Sequence, residues 1–391
     1  MSQFTWTPIV PPPRFPVPPV PVPPPLPASV SFTGNREGFL HLLVRGAGLE
    51  LVTLGFYRFW LVTDIRRHLW SNTVIEGDAA EYTGRGRELL IGFLIALAIL
   101  MPIYLGYFLI SVEAEHMQAL ASIPLVASFY VFGQFAIYRA RRYRLTRTVW
   151  RGVRFWMDGS GWLYALHATL WALLAIATLG IALPWRAEAL ERYKLRHSWY
   201  GDLQGAFEGS GWALFKRVWW LGLLMPFAIV IFFAFPFVYA RYKAEEWRWW
   251  ISGIRFGDVA AESRLDPGAF TDLYWKVIGW YMVLGTAFSI VVGSAVTTVA
   301  RFSGVPAEQV SVADAVGKSI PFLAVTAIGY LALALGLSVV SRLYLTRDLW
   351  TRVLATTDIF DIAAAANVTA RGDLASAVGE GIADGLDVAG F

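Results

Sequence analysis

The chain has 391 residues and a formal net charge of +4; 56% of it is hydrophobic and 16% charged, against about 45–50% and about 25% in an average soluble domain. Aromatic residues reach 15% and mean hydropathy is +0.50, which excludes a disordered chain, a coiled coil and an ordinary soluble enzyme. There is no cysteine, so disulfides, thiolate metal sites and a cysteine nucleophile are excluded too.

Residues 1–31 come first, and twelve of the twenty prolines lie in residues 1–30. Such a run favours extended polyproline II and cannot form a helix, so a disordered N-terminal tail is expected. It is either a plain tether or a ligand for an aromatic-lined groove. Residues 32–355 then carry one apolar run after another. A helix crossing a bilayer needs about 20 apolar residues. Six segments reach that length: 89–111, 117–138, 161–183, 218–240, 273–300 and 320–341. A seventh, 36–57, is weaker because it carries His41, Arg45 and Glu50. Unpaired backbone groups are costly in hydrocarbon, so these runs are expected to be helices. The fold class expected is an all-α membrane protein, a polytopic helical bundle with internal repeats, amphipathic interfacial helices and short cytoplasmic hairpins at 72–82 and 197–207. Residues 356–391, with Asp358, Asp361, Asp373, Glu380, Asp384 and Asp387 among Ala and Gly, read as a weakly ordered acidic tail.

Charge follows apolar segments. Residues 139–154 hold Arg139, Arg141, Arg142, Arg144, Arg147, Arg151 and Arg154, and 241–250 and 342–352 are similar. The connection 112–116 has Glu113 and Glu115 and no Lys or Arg. By the positive-inside bias the Arg-rich faces and both termini are expected to be cytoplasmic. Six crossings, with 36–57 re-entrant or interfacial, leave one conflict: 185–217 carries six Lys or Arg and falls outside. Bringing it inside requires both 161–183 and 218–240 to be re-entrant, and Pro226 and Pro236 offer a break in the latter.

Repetition is the most informative feature. Thr53-Leu54-Gly55, Trp60, Arg67, Tyr82, Gly84 and Gly86 recur 125 positions later as Thr178-Leu179-Gly180, Trp185, Arg192, Phe207, Gly209 and Gly211. Leu145-Thr146-Arg147 and Trp150 recur 200 positions on as Leu345-Thr346-Arg347 and Trp350. Gly152, Arg154 and Phe155 are matched by Gly253, Arg255 and Phe256. The unit expected is an apolar helix, an Arg- and Trp-bearing amphipathic helix with Leu61, Ile65 and Leu69 on one face, then a polar stretch ending in aromatic-x-Gly. Trp60, Arg67 and Tyr82 should cluster with Gly84, and Trp185, Arg192 and Phe207 with Gly209.

The run Thr53-Leu54-Gly55-Phe56-Tyr57-Arg58-Phe59-Trp60, with Arg66-Arg67-His68-Leu69-Trp70-Ser71-Asn72-Thr73, Gly77 and Tyr82-Thr83-Gly84, resembles the signature of the YjgN-like bacterial inner-membrane protein family. The resemblance is best over 32–90, recurs more weakly at 157–215 and covers 32–355 in outline. It implies a polytopic inner-membrane protein and no particular activity. Occasional gene neighbourhood with a membrane metallopeptidase is the one hint of a complex that the resemblance carries.

Two sets of candidate site residues stand out. His41, Arg45, Glu50 and His167 are ionisable groups within or near apolar runs, where such groups face a cavity or a partner or simply reach interfacial water. Arg142, Arg147, Trp150, Arg342, Arg347 and Trp350 are candidates for binding anionic headgroups, with topogenic charge as the plainer account. No metal-binding, zincin or nucleophile-elbow motif occurs, and Gly317-Lys318-Ser319 lacks the first glycine of a P-loop. No cofactor and no catalysis are expected. The expected partners are membrane lipids, with a membrane protein or a second copy as further options, and not nucleic acid. A transporter-like or lipid-interacting module leads; a structural subunit of a membrane complex and an enzyme acting on a lipid-linked substrate are the alternatives.

Overall fold

The computed structural model describes residues 27–113, 118–231, 234–303, 320–372 and 374. Five consecutive units run helix, turn, helix, hairpin. The first holds α1 (Arg36–Val52), α2 (Arg58–Ser71), β2 (Thr73–Ile75), β3 (Asp78–Ala79) and β4 (Glu81–Tyr82). The second holds α3 (Gly86–Glu113), α4 (Gln118–Thr146), β5 (Thr148–Trp150) and β6 (Val153–Met157). The third holds α5 (Gly161–Ala177), α6 (Leu183–Arg196), β7 (Ser198–Tyr200) and β8 (Leu203–Phe207). The fourth holds α7 (Gly211–Val230), α8 (Phe235–Ser252), β9 (Ile254–Phe256) and β10 (Val259–Ser263). The fifth holds α9 (Thr271–Ser303), α10 (Ile320–Ser341), a π-helical stretch (Arg342–Asp348), α11 (Leu349–Ala355) and β11 (Thr357–Phe360). Its second strand comes from the other end of the chain, β1 (Val30–Phe32).

The all-α expectation is therefore wrong. Strands β4 to β11 form one eight-stranded antiparallel sheet and β1 to β3 a three-stranded one. The two join at both ends. Only Ala80 separates β3 from β4, and its N–H donates to the Thr73 carbonyl over 3.1 Å. Ala28, just before β1, bridges Ile359 of β11, with its N–H 2.7 Å from that carbonyl. Among the described residues the two sheets thus run into one another through Ala80 and meet again at the single Ala28–Ile359 bridge, which curls the short strands into a ring. The helices close likewise: α2 packs on α3, α4 on α5, α6 on α7, α8 on α9, and α10 on α1.

Local chemistry sets each junction. The first strand residues Thr73, Thr148, Ser198 and Thr357 each donate a hydroxyl bond to the carbonyl four positions earlier, at 2.7–2.9 Å. That takes up a carbonyl the ending helix leaves open. Three and four positions after Thr73 and Thr148 come Glu76-Gly77 and Arg151-Gly152, all with positive φ, the backbone that a two-residue hairpin turn needs. Nine positions after Thr73 and Ser198 sit Tyr82 and Phe207. Their rings fold over Gly84 and Gly209, where a Cβ would lie 2.6 and 2.5 Å from the ring carbons.

The 125-residue repeat is matched in backbone detail. Leu54 and Leu179 both have φ of 51°, and Gly55 and Gly180 both have 89°. The other two repeats are not structural equivalents. Leu145–Trp150 crosses the junction from α4 to β5, whereas Leu345–Trp350 lies within the π-helix and α11. Gly152 sits in a hairpin turn, whereas Gly253 caps α8. Short shared words in an Arg- and Trp-rich chain arise by composition as well as by duplication.

Among the described residues four stretches are long and apolar enough to cross a membrane: Gly86–Phe108, Ile123–Thr146, Thr271–Phe302 and Ile320–Ala355. The expected run 161–183 instead ends its helix at Ala177 and doubles back, and 218–240 is broken between α7 and α8. Since all five hairpins share one ring, the basic stretch 185–217 lies on the same side as the other Arg-rich stretches. The parity conflict disappears. Leu61, Ile65 and Leu69 do share a buried face, packed on Phe39 and Leu43 of α1 and on Leu343.

Both ends of the folded region reach beyond the expected boundaries. Ala28 and β1 belong to the ring, and so does β11, where Asp358 is paired with Arg264. After β11, residues 362–368 pass across the ring: Ile362, Ala365 and Val368 pack with Trp150, Val153, Phe155, Tyr200 and Leu203. The proline-rich stretch 1–26, the Gly317–Ser319 run and most of the acidic tail lie outside the described residues.

Candidate functional site

The four ionisable residues singled out near apolar runs do not converge. His41 and Arg45 are exposed on α1, and His167 is exposed on α5 in a different unit. Glu50 is buried and pairs with Arg342 at 3.7 Å. The headgroup candidates scatter too. Arg142 stands half-buried on α4. Arg147 is buried, bound to Glu88 at 2.9 Å. Trp150 faces Tyr200 inside the ring. Arg347 donates to the Gly34 carbonyl over 2.8 Å and pairs with Asp348. Trp350 stacks on Trp70, ring centroids 5.5 Å apart, and donates to Thr73 Oγ1.

The motif residues come together at unit boundaries. Arg67 donates to the Gly84 carbonyl over 2.8 Å, Tyr82 covers Gly84, and Trp60 lies against Gly86. In the other copy Phe207 covers Gly209 and Trp185 lies against Gly211. Arg192 takes a different partner there: it pairs with Glu188, which in turn accepts the Gly211 N–H at 2.6 Å. Thr53 Oγ1 and Thr178 Oγ1 bind the carbonyls of Leu49 and Leu174, bracing the turns that Gly55 and Gly180 complete.

A cavity of about 610 Å³ lies between the second helices of the units and the strand ring, within the range typical of ligand sites. Residues of α2, α4, α6, α8 and α11 line it, together with the first residues of β5, β9 and β11. Its charged wall is Arg141, Arg144, Lys194 and Lys243 against Glu191 and Glu246. Trp70 and Trp350 form one aromatic wall, and Trp247 and Trp250 another, with their rings edge to face at 5.4 Å.

Glu191 is the hub of this wall. Arg141 approaches it at 3.5 Å, Lys194 pairs with it one turn on, and Trp250 Nε1 donates to it at 3.0 Å. The side chains of Lys194 and Glu191 are only 12% and 16% exposed, and both line the cavity. Burial pulls upward on the Glu191 carboxyl, but Lys194, Arg141 and the Trp250 bond outweigh it and hold it below the usual range. Burial also pushes the Lys194 ammonium down, against the pull of Glu191. At Lys243 the nearby Glu246 carboxylate, 2.6 Å away, overcomes burial and raises the ammonium. Among the described residues no group of three His, Asp or Glu side chains is placed to hold a metal.

Sequence reasoning noticed the Arg-rich stretches but not this wall. The signal was present: Glu191-x-x-Lys194 and Lys243-x-x-Glu246 are charge pairs one helical turn apart, and Trp247-x-x-Trp250 repeats the same step.

The model of a family described as bacterial proteins of unknown function, DUF898, matches residues 27–247. The chain belongs to this family. It is the same family that the Thr-Leu-Gly, Trp and Tyr-Thr-Gly motif resembles. In this DUF898 protein the matched region takes in the first three units, α7 and most of α8, and so the motif turns and the Glu191 hub. No curated protein and no solved structure matches the chain.

Proposed function

We propose that the chain is a non-catalytic, lipid-interacting module of the bacterial inner membrane, with its strand ring, basic second helices and both termini at the cytoplasmic face. The observation that supports this is the uneven depth of the units above one ring. The second and fifth units carry the four apolar helices of spanning length. The first and third turn back after 17 residues, at tips whose Leu54 and Leu179 are 84% and 95% exposed. A helix of 17 residues rises about 26 Å, short of a hydrocarbon core of about 30 Å. Such greasy tips are at home in lipid, and a ring that is deep on some sides and shallow on others would disturb the bilayer around it.

A transporter-like role is the second reading, favoured by the cavity between the second helices and the ring. A continuous path would require Ile362, Ala365 and Val368 to leave the ring. The test of the first reading uses the cysteine-free sequence. Single cysteines replace Leu179 and Asp258, and a membrane-impermeant maleimide is applied to intact cells and to inverted vesicles. Asp258→Cys should label only in inverted vesicles, and Leu179→Cys in neither. Labelling of Leu179→Cys in intact cells would place that tip across the membrane and defeat the shallow-unit argument.

A further inference from the structure

We infer that residues 361–372 form a displaceable strap across the turn end of the strand ring, hinged at Asp361 and seated on the Gly201–Asp202 turn, and that its departure opens the interior of the ring. The strap follows from its own contacts. It depends neither on how the units sit in a membrane nor on what the cavity holds.

A ring of this size needs a filler. In a barrel of about eight strands the side chains just fill the interior, and a larger can of eleven strands holds a helix along its axis. Eleven strands take part in this ring. At the end opposite the second helices, Ile362, Ala365 and Val368 supply the missing volume against Trp150, Phe155 and Tyr200. They arrive on a segment that belongs to neither sheet.

That segment is held more lightly than the strands around it. Asp361 turns the chain out of β11 with φ of +55°, a left-handed conformation that Asp tolerates better than most residues. The 3₁₀ turn that follows, Ile362–Ala365, makes its backbone bonds internally: Ala364 N–H donates to the Asp361 carbonyl and Ala366 N–H to that of Ala363, each over 3.0 Å. Among the described residues one hydrogen bond joins the strap to the ring, from Thr369 N–H to Asp202 Oδ1 at 3.1 Å, and it is exposed. Segments with few buried apolar contacts and exposed hydrogen bonds open well before the whole fold does.

The seat itself is steric. Gly201 has φ of +55° and no room for a side chain: a Cβ there would lie 2.6 Å from the Thr369 carbonyl oxygen and closer still to Val368. Gly257 holds the same place in the next hairpin, with φ of +56°, and a Cβ there meets only the end of the Leu203 side chain, at 3.0 Å. One substitution therefore lifts the strap at Gly201 and spares it at Gly257, with the same backbone cost at both.

The test measures maleimide labelling of single cysteines in the otherwise cysteine-free full chain, in a neutral detergent. Ala365→Cys reports on the underside of the strap, Val153→Cys on the ring interior beneath it, and Ala140→Cys, fully buried in α4, on global opening. Ala365→Cys should label at least about a hundredfold faster than Ala140→Cys, and equal rates would mean that the strap opens only with the whole fold. Adding Gly201→Ala should speed labelling at both 365 and 153 by about tenfold, whereas Gly257→Ala should leave both within about twofold. Equal acceleration by the two glycine changes, or by neither, overturns the seat. Acceleration at 365 without 153 overturns the opening of the ring. Hydrogen exchange of the unaltered protein gives a reading free of variants. The amides of Ala364, Ala366 and Thr369 should exchange at least about a hundredfold faster than those paired between β8 and β9, and equal protection would sink the strap.

Discussion

The third and second units share a lower half and differ in the upper one. Both end in a basic helix, a hydroxyl-capped junction and a hairpin of the ring. Above that, α3 and α4 run 28 and 29 residues, whereas α5 stops after 17 at Thr178-Leu179-Gly180. The ring constrains only the lower half. Helix length above it is free to vary without breaking the strand order, and that is how one architecture holds both full-length and shallow units. The lower halves are also where charges knit neighbouring units together: Glu191 of the third unit meets Arg141 of the second and Trp250 of the fourth.

If stability resides in the lower halves, the largest loss from a single side chain should come at that hub. Glu191→Ala leaves Arg141 and Lys194 without their shared carboxylate in a largely covered site, and breaking such a pair costs about 3–5 kcal/mol. A large drop in the thermal midpoint is expected in a micelle at neutral pH. The pH dependence has a definite sign. The Glu191 carboxyl is held below its ordinary value of 4.5 in the folded chain. Its contribution is therefore present above that value and is lost as pH falls through the folded one. The variant should lack this acid-limb component. A variant with the parent's acid profile and midpoint would show that the units are not tied at Glu191.

The contrast between shallow and spanning units can be tested by a matched set of glycines. Gly55 and Gly180 sit at φ of +89° with no backbone crowding their Cβ position, so alanine there should cost about 1–2 kcal/mol through the left-handed backbone alone. Gly106, inside α3 and equally open, should behave in the opposite way. Alanine there should be neutral or gain up to about 1 kcal/mol. Equal losses at all three positions, read from thermal midpoints, would mean that the Thr-Leu-Gly turn is not a special conformation.

Much of this molecule could be read from its residues, and the misses have physical causes. Apolar runs and Arg placement identified the membrane class, and Thr53-Leu54-Gly55 against Thr178-Leu179-Gly180 located two turns of the same geometry. The ring stayed hidden because its strands are two to five residues long, too short for alternation to declare itself. Closure was beyond any local pattern, since Ala28 meets Ile359 from the far end of the chain. Segment 161–183 passed as a crossing because apolar composition does not reveal a left-handed Leu-Gly pair. The charged wall of the cavity was missed for another reason. Arg141, Glu191 and Lys243 come from three units, and only the folded ring makes them neighbours.

The smallest expected effect sharpens the comparison further. Thr53 Oγ1 accepts the Tyr57 N–H at 3.0 Å while donating to Leu49, and Thr178 Oγ1 accepts the Ala182 N–H at 3.1 Å while donating to Leu174. Each hydroxyl thus braces both sides of its turn, between the first helix of the unit and the second. Thr53→Ala and Thr178→Ala should each cost about 1 kcal/mol, the net worth of such bonding, and serine should restore most of it because the hydroxyl is kept. The two losses should agree, since the paired distances differ by only 0.1 Å. A loss at Thr178 without one at Thr53 would separate the copies, and would make the shallow geometry of the first unit a product of its packing on α10 rather than of its turn.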